Sequence, residues 1–299
     1  ALSMSPFVSS AEGIFLAPFV STFIHDGISA LFLLAVNGSR GRLKEIFGIC
    51  KTKTFRLLIV SSAIGGPVGM TGYVLAVNYM GASVGAVASA IYPAIGAVLA
   101  YVFLKEKIKW YQWVFLFCTL LGVWGLSYSP DIDIKNFQVG LLGVIMCSFG
   151  WGTEGVILSK CMREKGIKSG DALQLRQLIS ASIYGLIIIP RLGGVHFTAE
   201  LFSAANMPVT ATIAAAAFFA TVSYLFYYKA IARVGTAKAM GLNITYTAWA
   251  IFFSVVLLRD RGILNFKTIS CAVLVVVCGI LAAADFKELF KKNYKAADR

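Results

Sequence analysis

Charge is what this chain has least of. Only 14% of its residues are Asp, Glu, Lys or Arg, against about 25% in soluble domains. Histidine is scarcer still, with 2 copies, so a histidine-based metal site is not expected. No Walker A loop or HExxH pair occurs. That removes the commonest phosphate-binding and metalloprotease signatures, and we expect neither an enzyme nor a cofactor. The cysteines Cys50, Cys118, Cys147, Cys161, Cys271 and Cys278 form no CxxC pair and mostly lie in or beside apolar runs. They read as small core residues, not disulfides or zinc ligands. No connection between the apolar runs has room for an ATPase or a soluble output domain.

What fills the chain instead is apolar. It is 58% hydrophobic with a mean hydropathy of +0.78. The apolar residues come in runs of about 20, the length a helix needs to cross about 30 Å of hydrocarbon. Nine spans are predicted, near 14–36, 55–79, 82–103, 110–128, 138–161, 171–190, 208–231, 236–257 and 266–284. The expected class is an all-α integral membrane protein with the lipid bilayer as its first partner. The net charge of +13 then reflects the positive-inside rule and not nucleic-acid binding. With the 38–54 connection in the cytoplasm and strict alternation, 21 Lys and Arg residues fall on the cytoplasmic side and 5 on the other, with Arg176 inside a span completing the 27. This orientation puts the C-terminus in the cytoplasm, and a bacterial inner membrane is the expected location. Nothing in the sequence marks an oligomeric state.

The chain also repeats itself at an offset of 154. Tyr73 falls on Tyr227, Ala76 on Ala230, Gly81 on Gly235, Tyr92 on Tyr246 and Ala94 on Ala248, and Lys105-Glu106-Lys107 falls on Arg259-Asp260-Arg261. The charge count places those two triplets on opposite sides of the membrane, so the repeats are expected to be inverted. The first repeat covers 1–129 with four helices, the second 138–284 with five, and 285–299 is a basic cytoplasmic tail. Span 138–161 has no counterpart. Its partner would precede residue 1, so we expect an intact protein of ten helices, five plus five, whose first helix is missing here.

The stretch YMGASVGAVASAIYPAIGAVLAYVFLKEKIKWYQW (79–113), its weaker copy RVGTAKAMGLNITYTAWAIFFSVVLLRDR (233–261) and GWGTEGVILSK (150–160) resemble the drug/metabolite transporter superfamily, in particular its EamA-type ten-helix branch. Each copy has a short hairpin, a small-residue helix, an acidic residue at its end and a helix with a late glycine. The chain departs from the pattern in lacking the first helix and in Asp260, where Glu is commoner. The resemblance implies an inverted-repeat bundle with a central cavity, alternating access, and export or exchange of small metabolites such as amino acids.

Ionisable residues inside a bilayer are costly and so invite functional hypotheses. His25 and Asp26 lie about halfway along the first span and are candidates for proton coupling or gating, with a proton as the candidate coupling ion. Successive residues on a helix point about 100° apart, so the two need not pair. Glu154 and Arg176 sit at matching depths, so an ion pair is geometrically allowed. It would either staple two helices or leave Glu154 to hold a cationic or amino group of a solute. Pro67 beside Gly65-Gly66 and Pro93 near Gly96 are expected to break their spans at similar depth, whereas Thr221 and Thr247 at the repeat-equivalent positions predict a less broken second copy. Discontinuous helices near the midplane point to transport sites and gates. Tyr73, Tyr92, Trp151, Tyr227, Asn243 and Tyr246 complete the candidate small-molecule site, and packing is the plain alternative for each aromatic. The expected function is a secondary active transporter, in particular an exporter, of small amphipathic solutes. The alternatives are a nucleotide-sugar or multidrug transporter and, from another class, a non-transporting membrane sensor or scaffold.

Overall fold

The computed structural model describes residues 4–128, 135–257, 259, 262 and 264–285, the side chains of 82, 83 and 86 excepted. Asp260 and Arg261 of the second charge triplet, and all but the first residue of the 285–299 tail, lie outside the described residues.

Among the described residues the chain is helical, with nine long helices at the nine predicted spans. They are α1 (Ala11–Ser39), α2 (Lys53–Met80), α3 (Ala82–Phe103), α4 (Trp110–Ser127), α5 (Phe137–Arg163), α6 (Ser169–Arg191), α7 (Met207–Val234), α8 (Thr236–Leu257) and α9 (Phe266–Ala283). Eight helices are long and apolar enough to cross a bilayer, and α3 adds an apolar stretch over Val87–Phe103. The chain is an integral membrane helical bundle. Local chemistry starts several helices. The side chains of Ser10, Asn136 and Asn265 each accept an N–H from the first turn they precede, at 2.9, 3.1 and 2.9 Å. Gly81 and Gly235 lead into α3 and α8 at φ 88° and 93°, a region open to glycine without strain. The residues just past the ends of α3 and α8 also match, since Lys105 and Arg259 are the non-glycine residues with positive φ among the described residues, at 52° and 56°.

The offset of 154 carries the ends of α2 onto those of α7, and the ends of α3 onto those of α8, residue for residue. Counterparts α4 and α9 pack against each other, as do α1 and α6, while α5 runs between α2 and α3. The backbones of α2 and α5 touch along a line of small residues. A Cβ added to Gly72 would lie 2.5 Å from the Cys147 nitrogen and 2.7 Å from the Gly143 carbonyl. Such close approach is how membrane helices gain packing energy when lipid is as apolar as the side chains.

Two expectations about broken helices need correcting. The α2 break is present: Ile64–Met70, with Pro67, forms a widened π-type turn. Pro93, however, sits inside an unbroken α3. Gly65 and Gly66 leave the chain before Pro67 free to widen, whereas Pro93 is flanked by Tyr92 and Ala94. The second copy is not the less broken one everywhere. Although α7 runs straight past Thr221, α8 is interrupted between Asn243 and Tyr246. There the Thr245 hydroxyl donates to the Leu242 carbonyl at 2.8 Å and that of Thr247 to Ile244 at 3.1 Å. Local hydroxyls of this kind compete with helical amides, which sequence reading for prolines overlooks.

Charged contacts tie the connections at one end of the bundle. Arg42 Nη2 donates to both Asp171 oxygens at 2.7 and 2.8 Å, and Lys168 donates to Glu45 at 2.5 Å. Glu106 Oε1 accepts the Thr236 N–H at 2.9 Å and Arg163 Nη1 at 2.7 Å, while its Oε2 accepts the Ala237 N–H at 3.2 Å. The carboxylate thereby caps the N-terminus of α8, where the helix dipole favours negative charge.

The contact between α2 and α5 is testable. Gly72→Val must push backbone apart, and overpacking of this kind costs about 1–3 kcal/mol. It should lower the thermal unfolding temperature in detergent. Gly48→Ala, where an added Cβ meets nothing within 4 Å, should leave that temperature unchanged. Equal behaviour of the two variants would contradict the packing.

Candidate functional site

The α2 turn sets the geometry of the bundle interior. Trp151 on α5 donates its Nε1 proton to the Gly65 carbonyl at 2.9 Å, and the Tyr184 hydroxyl donates to the Gly66 carbonyl at 3.3 Å. Side chains on two neighbouring helices thus take up carbonyls at the widened turn, as a membrane interior requires. Gly65 also clears space for Glu154, because a Cβ there would lie 1.9 Å from its carboxyl carbon.

Glu154 and Asp26 grip one guanidinium. Arg176 Nε donates to Glu154 Oε1 at 2.7 Å and Nη1 to Asp26 Oδ2 at 3.1 Å. The same Nη1 donates to Gln177 Oε1 at 2.7 Å, and Gln177 Nε2 donates to Ser29 Oγ at 3.0 Å. Ser29 and Thr221 hydroxyls are 2.6 Å apart. The network joins α1, α5, α6 and α7. All three ionic side chains are nearly buried, at 12% exposure for Arg176, 11% for Glu154 and 4% for Asp26. His25 pairs with its neighbour, a contact that helix geometry alone left open. Its Nδ1 lies 2.9 Å from Asp26 Oδ1.

A cavity of about 400 Å³ lies against this cluster. His25, Asp26, Glu154 and Arg176 form its ionic wall, and Tyr73, Tyr92, Trp151, Tyr227, Asn243 and Tyr246 also line it. The cavity therefore collects the polar and aromatic residues that the sequence singled out. Pro67 and Pro93 are not on its wall. Trp151 is the hub of the aromatic side, stacked on Tyr73 with centroids 5.8 Å apart and edge-on to Tyr92 at 5.7 Å. Asn243 Nδ2 donates to the Tyr92 hydroxyl at 2.6 Å, and the Ser89 and Tyr246 hydroxyls are 2.7 Å apart. The repeat-equivalent Tyr92 and Tyr246 thus share one cavity, each tied to a polar group on the opposite repeat's helix.

Sequence reasoning missed Tyr224 and Tyr228, which line the same wall as Tyr227. Their spacing held the signal, since positions i, i+3 and i+4 share one helix face. It also missed Thr22, Ser89 and Ser223, whose small hydroxyls look like packing residues until a helix rotation is known.

With this geometry in place, comparison with known proteins can be read. Residues 3–128 match the EamA-like transporter family. Over those residues the chain is similar to that family. Protein LicB of Haemophilus influenzae is 33% identical to it over 193 residues, which is 64% of this chain and 63% of LicB. The chain thus matches less than two thirds of that relative's length. The crystal structure of a protein with 15% identical residues superposes on 89% of this chain and 88% of its own at a TM-score of 0.66. At that identity the likeness is one of fold alone. Helices α1 to α4 fall within the matched EamA-like segment, so Asp26, Tyr73 and Tyr92 come from it, while Glu154 and Arg176 lie beyond it.

The ionic cluster has a stability signature. Arg176→Gln strands two carboxylates, and breaking a buried pair costs about 3–5 kcal/mol. Glu154→Gln should cost less, because Asp26 still holds the guanidinium. In the double variant the losses should fall short of their sum by about 0.5–3 kcal/mol, read from reversible unfolding in mixed micelles. Additive losses would mean that the two side chains do not interact.

Proposed function

We propose that this protein is a secondary active transporter of small amphipathic solutes bearing an amino or ammonium group, exchanged against a proton by alternating access. One observation carries this reading. The cavity wall holds two carboxylates, Asp26 and Glu154, and one guanidinium, Arg176. The formal charge of the trio is −1, in a place where an unbalanced charge is costly. A cation that completes neutrality is therefore favoured. It can be a proton, held by His25 or by a carboxyl group, or the ammonium group of a solute. Because either one meets the same deficit, the two compete, and competition for one site couples their movement. With the basic end cytoplasmic, the inward proton gradient of a bacterial inner membrane would drive the solute outward.

The aromatic wall supports the same substrate class. A cation over the face of Trp or Tyr gains about 0.5–2 kcal/mol, more when desolvated. Trp151 and the tyrosines around it offer such faces beside Glu154. Tyrosine hydroxyls and Asn243 would orient polar groups at the other end of the solute. A nucleotide sugar, with its two phosphate charges, would meet an acidic wall here.

For the conformational cycle we infer two half-bundles, α1 to α4 and α6 to α9, of opposite orientation. The coincidence of helix ends at an offset of 154 and the packing of α4 on α9 support this arrangement. Rocking one half against the other would open the cavity to each side in turn.

Counterflow in proteoliposomes tests the proposal, using labelled amino acids, amines, quaternary ammonium ions and neutral isosteres. A cationic member should exchange, compete about tenfold better than its neutral isostere, which is about 1.4 kcal/mol, and slow as pH falls. Glu154→Gln and Tyr246→Ala should each reduce the flux. Asp26→Asn should abolish flux driven by a pH gradient while leaving counterflow measurable. Unchanged flux in the first two variants would remove the site. Absence of flux for every class in the panel would remove the transport reading.

A further inference from the structure

A second cavity, of about 460 Å³, lies at the end of the bundle where α3 and α5 finish and α8 begins. Its wall is basic. Lys105, Lys107, Lys160, Arg163 and Lys238 line it, against only two carboxylates, Glu106 and Glu164. The formal charge of these seven groups is +3. Glu106 is already committed to the first turn of α8 and to Arg163. None of the four lysines has a carboxylate partner at ion-pair distance among the described residues. Ser159 lines the same cavity, fully buried, and its hydroxyl has no hydrogen-bond partner.

Lysines at a cytoplasmic rim ordinarily spread outward and snorkel to many headgroups. Here four line one concave wall beside an unused hydroxyl donor. The four lysines and the Ser159 hydroxyl outnumber the one uncommitted carboxylate, Glu164, and an ammonium cluster with a hydroxyl is suited to the oxygens of a phosphate. The surroundings favour a lipid source. Next to the cavity, α3 and the start of α4 present Tyr101, Phe103 and Trp110 with 56%, 70% and 77% of their surfaces exposed. Those side chains offer an apolar path for acyl chains beside a polar pocket for the headgroup, as in other basic pockets between membrane helices.

We propose that this cavity binds a phosphate-bearing anion, and that in the membrane its occupant is the headgroup phosphate of an anionic phospholipid. The site is separate from the ionic and aromatic cavity and stands whether or not that cavity transports cations.

Native mass spectrometry and thermal unfolding can test it, with the full chain in phosphatidylcholine micelles titrated with phosphatidylglycerol. Retained phosphatidylglycerol adducts and a raised unfolding temperature are expected. The Lys160→Gln/Lys238→Gln variant should weaken the apparent affinity at least tenfold. Ser159→Ala, which leaves every charge in place, should weaken it several-fold. Lys51→Gln/Lys53→Gln removes the same charge at the same end of the bundle but outside the cavity, and should change it little. A parallel titration with inorganic phosphate distinguishes the sources. Saturable phosphate binding with the same mutational pattern, and none for phosphatidylglycerol, would keep the anion site but overturn the lipid occupant. Binding of neither, or equal weakening by both lysine pairs, would overturn the site itself.

Discussion

Arg176 sits where lipid offers no partner, and the surrounding structure is arranged around that fact. A guanidinium in hydrocarbon must find its anions within the protein. Here it finds them on two other helices, Glu154 of α5 and Asp26 of α1. Gln177, Ser29 and Thr221 carry the same constraint across to α7. Four helices from both halves of the chain are thereby held in register at one depth. The cluster is stoichiometrically unbalanced, with more acid than base. An arrangement built only for stability would be better served by apolar side chains of similar volume. The imbalance is the chemical reason to look for a cation that comes and goes.

The cluster depends in turn on backbone geometry several residues away. Glu154 can reach Arg176 because Gly65 leaves no Cβ in its path. The α2 turn at Ile64–Met70 exposes carbonyls that Trp151 and Tyr184 take up. The same tryptophan then presents its ring to the cavity, stacked on Tyr73. One local widening of a helix therefore places both the acid and the aromatic faces of the site. Further along, Gly72 and Gly143 allow α2 and α5 to touch backbone to backbone, which fixes the rotation of α5 and so the direction of Glu154.

Much of this was legible from residue types. Span positions follow from hydropathy, and the pairing of Glu154 with Arg176 follows from depth counted along each helix. The polar and aromatic cavity residues named from sequence do converge on one cavity. Other features escaped for identifiable reasons. That His25 and Asp26 meet is a rotamer matter that spacing does not record. Pro93 leaves α3 intact while the hydroxyls of Thr245 and Thr247 accompany a break in α8, so proline alone is a poor index of discontinuity. Tyr224 and Tyr228 lie one turn or less from Tyr227, yet only a known rotation of α7 shows that all three face inward.

By itself, the sequence determined that this chain lives in a bilayer, where its helices start and stop, and that its second half echoes its first. Those properties rest on transfer free energy and on capping groups within a few residues of each helix end, so they are encoded locally. The tertiary structure alone decided that Asp26 joins Glu154 on Arg176, which aromatics face the cavity and that four lysines line a second one. Those outcomes depend on helix rotation and on contacts between residues more than a hundred positions apart, which no local pattern contains.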